Sequence, residues 1–377
     1  MALHLSAFLL FTLSFAGRYA YGNSNLNRVC YYASYNPPPN KLNATLCTHI
    51  IAGFSSVKDG VIDVGGNGKM YTETTALKKQ YPHLKILMTV GGGGNDQGFS
   101  SAVSSPGSRL KLIASAFSTL GKYGFDGLDI DWEFPVWNDN QPDDKDNFIH
   151  FLKEFKIFSD FFGLKFLKKQ PLLTVAVAAP KTFIDKAYNI TEMAKYVDFI
   201  NLMTYDFHDY FWYTPFTGHN SPLFNRSVEQ AYFSTLNTAW SSYYWNMMGM
   251  PKSKIMVGIP TYGHTYKLLD PSINYVDAPA TAMGIYGGDI TFTEVCKFLA
   301  SGARRVFDSE SEVPYAFKGF DWISYEDQAS ILRKAKWIKS QGFGGAMTYD
   351  LNSDDFSLIC DNASFPLHRI IYDVFTN

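Results

Sequence analysis

Short apolar runs rich in Val, Ile, Leu and Phe recur along the chain, and polar, glycine-rich or amphipathic segments separate them. Apolar residues at three- and four-residue spacing predict helices at 108–123, 146–162 and 326–341. Alternating strands and helices indicate a parallel α/β sheet, and eight such units predict a closed (β/α)8 TIM barrel. A doubly wound open sheet is the alternative. The predicted strands are residues 29–32, 49–54, 85–90, 127–131, 173–178, 199–203, 255–259 and 345–349.

The interval between the seventh predicted strand and the last helix is too long for one crossover. We therefore predict a small α+β insertion domain at about residues 266–320, which begins at Asp270-Pro271-Ser272 and returns near Trp322. Active sites lie at the C-terminal rim of such barrels. The insertion is expected to stand at that rim, where it could wall a groove.

The N-terminal residues have the pattern of a secretory signal peptide. Residues 3–16 form an apolar stretch, and the small residues Ala20 and Gly22 stand at the −3 and −1 positions of a cleavage site. We predict a signal peptide at 1–22, a mature chain at 23–377 and an extracellular location. No Lys or Arg lies near Met1, so a buried helix or a membrane anchor is the alternative.

Cysteines and sequons fit an oxidising, extracellular compartment. The four cysteines are an even number, which predicts two disulfides, although sequence alone allows three connectivities and four buried thiols are the alternative. Sequons predict glycosylation at four asparagines. The residues concerned are Cys30, Cys47, Cys296 and Cys360, and Asn43, Asn189, Asn225 and Asn362.

Net charge and aromatic content indicate which binding partners to expect. The chain has 33 Lys+Arg against 35 Asp+Glu and a formal net charge of −2. Nucleic acid and anionic membranes attract basic proteins, so neither partner is expected. Aromatic residues make up 16% of the chain; ring faces that are not needed in a core stack on flat partners, which favours sugars. We expect a monomer.

The most informative segment is an acidic run in an otherwise apolar strand. Asp126, Asp129, Asp131 and Glu133 fall within eight residues. The last three are spaced by two, so on a strand they share one face, each about 6.6 Å beyond the one before. Like charges held together in a barrel interior cannot all ionise cheaply, and Glu133 is expected to stay protonated near neutral pH as a general acid. A magnesium or calcium site and a solvated acidic turn are the alternatives.

Most glycosidases place a second carboxylate on the opposite face of the sugar. Asp131 and Glu133 lie on one strand and approach the ring from one side. In a glycosidase the nucleophile would therefore come from elsewhere, and the N-acetyl oxygen of the substrate can supply it.

These residues resemble glycoside hydrolase family 18, the chitinases and chitinase-like proteins. The family motif Asp-x-x-Asp-x-Asp-x-Glu stands here at Asp126, Asp129, Asp131 and Glu133, and the likeness runs from residue 28 to about 375. Further segments that look like the family are Cys-Tyr at 30–31, Leu-Cys-Thr-His at 46–49, Val-Gly-Gly at 90–92, Met-Thr-Tyr-Asp at 203–206, Thr-Gly-His-Asn-Ser-Pro-Leu at 217–223, Gly-Ile-Pro-Thr-Tyr-Gly at 258–263 and Gly-Gly-Ala-Met at 344–347.

The resemblance implies a role for each motif residue. Glu133 would protonate the leaving oxygen, Asp131 would hold and polarise the substrate acetamido group, Asp129 would support Asp131, and Tyr205 would hydrogen-bond the acetamido carbonyl. No metal or cofactor is implied. Substrate-binding positions implied by the resemblance are Tyr31, Phe54, Met203, Asp206, Tyr262 and Tyr349. The implied disulfides are Cys30–Cys47 and Cys296–Cys360.

Some positions depart from the family pattern. Tyr349, Tyr35 and Gly93 stand where Trp is usual, which predicts a smaller floor under the sugar and fewer stacking platforms on the non-reducing side. His264 stands where Arg is usual. Trp212, in the aromatic loop 207–216, is predicted to bind substrate and to compensate; packing on the insertion is the alternative.

The leading hypothesis is a secreted, endo-acting hydrolase that cuts β-1,4 bonds in chitin or N-acetylglucosamine oligosaccharides with retention. The first alternative is a chitinase-like lectin or growth-factor-like protein with weak or no catalysis, which the intact Glu133 disfavours. The second alternative is a hydrolase of another N-acetylglucosamine linkage, which reduced stacking would suit.

Overall fold

The computed structural model describes residues 26–137, 140–167 and 169–377. The predicted signal peptide, residues 1–22, lies outside the described residues. In chain order the strands are β1 (Asn27–Tyr32), β2 (His49–Lys58), β3 (Val61–Asp63), β4 (Lys85–Gly91), β5 (Gly127–Asp131), β6 (Leu172–Ala178), β7 (Phe199–Met203), β8 (Ile255–Pro260), β9 (Tyr262–Leu268), β10 (Ala280–Met283), β11 (Asp289–Thr291), β12 (Arg304–Asp308), β13 (Val313–Lys318), β14 (Asp321–Ser324) and β15 (Gly345–Tyr349).

The α-helices are α1 (Gly68–Ala76), α2 (Phe99–Val103), α3 (Pro106–Tyr123), α4 (Asp144–Leu167), α5 (Lys181–Ala187), α6 (Ile190–Tyr196), α7 (Thr238–Met247), α8 (Phe292–Ala300), α9 (Gln328–Gln341) and α10 (Pro366–Thr376).

Eight parallel strands close into a barrel in the order β1, β2, β4, β5, β6, β7, β8 and β15, and β15 pairs again with β1. Most positions of these strands are apolar because both faces are buried, one in the barrel and one under helices. Each of the eight predicted runs lies within one of these strands. The predicted (β/α)8 barrel is confirmed, and the open-sheet alternative is wrong.

The helices α3 and α9, which precede β5 and β15, both end at a glycine in the left-handed conformation. A capping box at Ser105 starts α3, and Gly124 ends it in the left-handed conformation at φ 76°. Asp327 caps α9, and Gly342 ends it at φ 73°. Glycine takes this conformation without a Cβ penalty, so the chain can turn sharply from α3 into β5 and from α9 into β15.

A second, antiparallel sheet lies between β8 and α9. Its strand order is β10, β9, β14, β13 and β12, with β11 paired to β9. Buried aromatic rings form its core, and Tyr315 stacks on Trp322 with a centroid distance of 5.1 Å. This sheet and α8 are the α+β insertion domain. The sheet runs from Tyr262 to Ser324, a few residues beyond the predicted range at each end, because β9 follows β8 almost directly.

The structure joins Cys30 to Cys47 and Cys296 to Cys360. This is the pairing that the resemblance implies, and the four-thiol alternative is wrong. The first bridge ties β1 to the segment before β2. The second ties α8, in the insertion domain, to the segment that follows β15, so it fastens the insertion to the barrel.

Asn225 and Asn362 are exposed, whereas Asn43 and Asn189 are half-buried. Glycosylation of these four residues stays a prediction. Within residues 26–137, 140–167 and 169–377, no helix combines the length and the apolar character that crossing a bilayer requires.

Candidate active site

Asp129 and Asp131 lie on β5 and Glu133 follows it at the C-terminal mouth of the barrel, whereas Asp126 precedes the strand and pairs with Lys78. Leu128 and Ile130 point outward and pack in the large apolar core that includes the helices. Asp129 and Asp131, on the opposite face, point into the barrel beside Tyr31 and Tyr205. Because side chains alternate along a strand, one face of β5 packs against the core and the other presents its acids to the barrel interior.

Asp129 is fully buried and held on three sides. Its carboxylate accepts hydrogen bonds from Tyr31 Oη at 2.7 Å, Thr174 Oγ1 at 2.5 Å and Asn201 Nδ2 at 3.1 Å. Burial raises the pKa of Asp129, and the hydrogen bonds from Thr174 and Tyr31 lower it without cancelling that rise. Asp129 is thus fixed beneath Asp131 and is not open to a ligand.

Asp131 lies one step nearer the mouth, is 3% exposed, and lines a cavity there. Its Oδ1 atom has no hydrogen-bond partner. Burial, followed by the charges of Glu133 and Asp129, raises its pKa well above the usual value. A buried, unpartnered carboxyl oxygen is costly and calls for an explanation.

Glu133 follows the strand and lines the same cavity. Burial, followed by the charges of Asp206 and Asp96, raises the pKa of Glu133 to about 7. A carboxyl group with this pKa is about half protonated at neutral pH, which suits a general acid that must also act as a base. The spacing of the acids predicts protonation of Glu133 from its neighbours on the strand, but the charges that raise its pKa belong to Asp206 and Asp96.

The cavity that holds Asp131 and Glu133 has a volume of about 480 Å³. It brings together nearly all of the residues singled out from the sequence. Its lining residues are Tyr31, Phe54, Gly91, Gly92, Gly93, Asn95, Asp131, Glu133, Met203, Tyr205, Asp206, Tyr262 and Tyr349.

Aromatic rings form much of the cavity wall. The ring of Tyr205 lies with its centroid 6.0 Å from Tyr349 and 6.1 Å from Tyr262. Tyr31 and Phe54 stack at 6.4 Å on the inner side. The Tyr205 hydroxyl lies 3.9 Å from Met347 Sδ, a weak contact that leaves it able to donate to a ligand.

A second cavity of about 530 Å³ adjoins the first and lies against the insertion domain. The two cavities share Asp206, Tyr262 and Tyr349. The second is also lined by residues that sequence reasoning did not assign to the site: Asp209, Phe211, His264, Asp289, Ile290, Thr291, Glu294 and Ser353. These residues come from separate segments and carry no local motif.

Trp212, expected in the substrate-binding set, lines neither cavity and is 82% exposed. A tight turn explains its position. The amide of Thr214 donates to the carbonyl of Phe211 at 3.0 Å, which leaves Trp212 and Tyr213 at the tip. Phe211 lines the second cavity instead and stacks on Tyr213 at 5.2 Å.

The structure shows the surroundings of Tyr35 and Gly93, two positions that depart from the family pattern. The hydroxyl of Tyr35 donates to Glu73 on α1, and Lys69 lies over its ring at 4.9 Å, so Tyr35 is directed away from the active-site cavity. A Cβ at Gly93 would lie 3.7 Å from Glu133 Oε2. Glycine there leaves the acid uncovered on that side.

Among the described residues, no three His, Cys, Asp or Glu side chains converge in a way that could hold a metal ion.

Comparisons with known proteins agree with this geometry. The family model Glycosyl hydrolases family 18 matches residues 27–354. Chitotriosidase-1 of Mus musculus is 36% identical over 343 residues, which cover 88% of this chain and 73% of that protein.

Solved structures superpose closely on the chain. An immunomodulatory active chitinase from Trichuris suis gives a TM-score of 0.87 at 32% identity, over 93% of this chain and 99% of that one. Human YKL-39, described as a pseudo-chitinase with retained chitooligosaccharide binding, gives 0.86 at 32% identity, over 93% and 100%. Relatives of this chain thus include active and inactive proteins. By its fold, its acidic motif and these matches, the chain belongs to glycosyl hydrolase family 18.

Proposed function

We propose that this protein is a secreted, endo-acting chitinase that hydrolyses β-1,4 bonds between N-acetylglucosamine units and retains the anomeric configuration. One observation carries the proposal. Glu133, whose pKa burial raises to about 7, Asp131, which has an unpartnered carboxyl oxygen, and Tyr205 all line one cavity at the barrel mouth.

The first step breaks the glycosidic bond. Glu133 donates its proton to the bridging oxygen, while the acetamido oxygen of the sugar attacks C1 and closes an oxazolinium-type ring. Asp131 accepts a hydrogen bond from the acetamido N–H, and Tyr205 donates one to the acetamido oxygen. The substrate supplies the nucleophile, so no second carboxylate is needed on the opposite face.

The second step restores the enzyme. Water enters on the side that the leaving sugar has vacated, and the Glu133 carboxylate takes its proton as the water oxygen bonds to C1. The ring opens, the acetamido group is regenerated, and the two displacements together retain configuration. A group with a pKa near neutrality can serve as acid and then as base at one pH.

The surrounding residues would hold the saccharide. Tyr349 would form the floor under the reacting sugar, with the cavity-lining residues Tyr31, Phe54, Met203, Asp206 and Tyr262 around it. Two adjoining cavities give room for sugars on more than one side of the reacting unit, which supports cleavage inside a chain. Two disulfides fit an oxidising compartment, which supports secretion.

A second candidate is a chitooligosaccharide-binding protein with little or no hydrolysis. The direction of Tyr35 away from the cavity and the missing side chain at Gly93 favour it, because both reduce stacking area for a long chain. The same features would suit a hydrolase that cuts another N-acetylglucosamine linkage in a short substrate. The intact Glu133 favours hydrolysis over binding alone.

The test is a time course on N-acetylglucosamine oligomers of defined length, with products separated by mass spectrometry. We expect internal cleavage by the native protein. The Glu133→Gln variant should lose about 10²- to 10⁴-fold in rate, the range for a general acid, while calorimetry shows that it still binds the oligomers. Binding without hydrolysis in the native protein would favour the second candidate, and release only from one chain end would contradict endo action.

A further inference from the structure

His264 lies between two acidic residues from different parts of the fold. It stands on β9, at the wall of the second cavity, and is 5% exposed. Its Nε2 atom is 2.8 Å from Asp206 Oδ1, at the end of the barrel strand β7, and its Nδ1 atom is 3.0 Å from Asp289 Oδ1, on β11 of the insertion domain. The imidazole therefore bridges the barrel rim and the insertion.

This geometry determines the protonation state of the ring. An ionised carboxylate only accepts hydrogen bonds, and a neutral imidazole carries a proton on one nitrogen alone. With a carboxylate at each nitrogen, both nitrogens must donate, which makes His264 an imidazolium. Burial by itself would lower the pKa of His264, but the hydrogen bonds to Asp206 and Asp289 outweigh it and raise that pKa to about 10.

Asp206 connects the positive charge of His264 to the active site. It lines both cavities, and its Oδ1 also accepts a hydrogen bond from Tyr262 at 2.5 Å. Its backbone takes the left-handed conformation at φ 56°, which is unusual outside glycine. Tyr262 and His264 thus hold in place a carboxylate that is half exposed.

We propose that His264 is a positioning residue, a permanently charged clasp that fixes Asp206 between the two cavities and offsets the negative charge that Asp206 presents to Glu133. The effect on catalysis rests on the proposed function. The clasp itself depends only on the geometry of His264, Asp206 and Asp289.

The other titratable groups near His264 reinforce its charge or leave it unchanged. Asp209 adds a third negative charge close by. Tyr262 has its proton engaged by Asp206. Burial lowers the pKa of His208 to about 4, so that ring is neutral at pH 7 and adds no opposing charge.

The direction of the expected effect follows from the charges. Asp206 raises the pKa of Glu133, and the cation of His264 counteracts Asp206. Removing the cation leaves Asp206 uncompensated, so Glu133 should hold its proton to a higher pH. Because hydrolysis needs protonated Glu133, the alkaline limb of the activity profile should move upward.

The first experiment compares three variants by their profiles of kcat/KM against pH on a short N-acetylglucosamine oligomer. We expect His264→Gln to move the alkaline limb upward by roughly half a pH unit, a size typical of one partly screened charge, and to raise KM because Asp206 is no longer held. His264→Arg, which keeps the charge, should return the limb toward that of the native protein.

The matched control is His219→Gln. His219 is also a buried histidine paired with an aspartate, Asp308 at 3.0 Å, but it lines neither active-site cavity. It should lower thermal stability without moving the limb. An unmoved limb in His264→Gln, or equal shifts in His264→Gln, His264→Arg and His219→Gln, would overturn the proposal.

A second measurement needs no variant. Nitrogen NMR of the histidine rings in the native protein should show His264 protonated on both nitrogens from pH 6 to 8. A neutral His264 in that range overturns the clasp even if the protein is an active hydrolase. A protonated His264 in a protein without hydrolase activity supports the clasp and rejects the proposed function instead.

Discussion

Replacing the general acid should stabilise the protein at alkaline pH while it removes activity. Burial and the charges of Asp206 and Asp96 raise the pKa of Glu133 from 4.5 to about 7. A raised pKa means that the folded state binds this proton more tightly than the unfolded chain does. The resulting stability is fully present below about pH 4.5 and is lost as the pH rises through about 7. Glutamine is neutral at every pH, so the Glu133→Gln variant does not lose this stability as the pH rises.

The size of the effect follows from the two pKa values of Glu133, 4.5 and about 7. At about 1.4 kcal/mol for each pKa unit, the difference corresponds to about 3 kcal/mol. The Glu133→Gln variant should therefore match the native protein near pH 4 and exceed its unfolding free energy by up to about 3 kcal/mol above pH 8. In a protein of this length that gain is several degrees in melting temperature.

The assay is calorimetric melting of both proteins from pH 4 to pH 9. Glu192→Gln is the matched control, because Glu192 forms a surface pair with Lys195, and such pairs contribute little. Its melting temperature should differ from that of the native protein by a small and constant amount. A stability difference between Glu133→Gln and the native protein that does not grow with pH would refute the reasoning.

Four further substitutions test the roles of other residues in or near the site. Asp131→Asn should reduce hydrolysis of N-acetylglucosamine oligomers by about 10²-fold or more, and a rate within twofold of native would show that no acetamido group takes part. Tyr349→Trp should strengthen binding of long oligomers in calorimetry, because a larger ring adds stacking area; unchanged or weaker affinity would count against a floor at this position. Phe211→Ala should weaken oligomer binding more than Trp212→Ala does, because only Phe211 lines a cavity, and the reverse order would place the saccharide on the outer tip of the loop.

The barrel and its acidic centre could be predicted because their signals are local. Strands buried on both faces appear as continuous apolar runs, and a spacing of two puts Asp129 and Asp131 on one face whatever the rest of the chain does. Burial, together with the crowding of these acids, raises the pKa of Asp131, whereas the pKa of Glu133 is raised by burial and by Asp206 and Asp96, which lie outside the strand. The even number of cysteines predicts two disulfides, but their pairing is not determined by spacing and follows only from the family resemblance.

The second cavity could not be predicted because its contacts are distant in sequence. His264 and Asp289 are 25 residues apart, and Asp206 lies 58 residues from His264; the pairing of β11 with β9 places Asp289 opposite His264. The choice between Phe211 and Trp212 depends on one turn hydrogen bond, which composition does not reveal. Tyr35 illustrates the same limit, since its direction is decided by Glu73 on α1.

The most direct test of the central claim is the anomeric form of the first product. Proton NMR recorded during the first minutes of hydrolysis of an N-acetylglucosamine oligomer reports the configuration of the new reducing end before it equilibrates. Attack by the substrate's own acetamido oxygen, with Glu133 as the only protein acid, predicts the β anomer in excess. An initial excess of the α anomer would contradict the account.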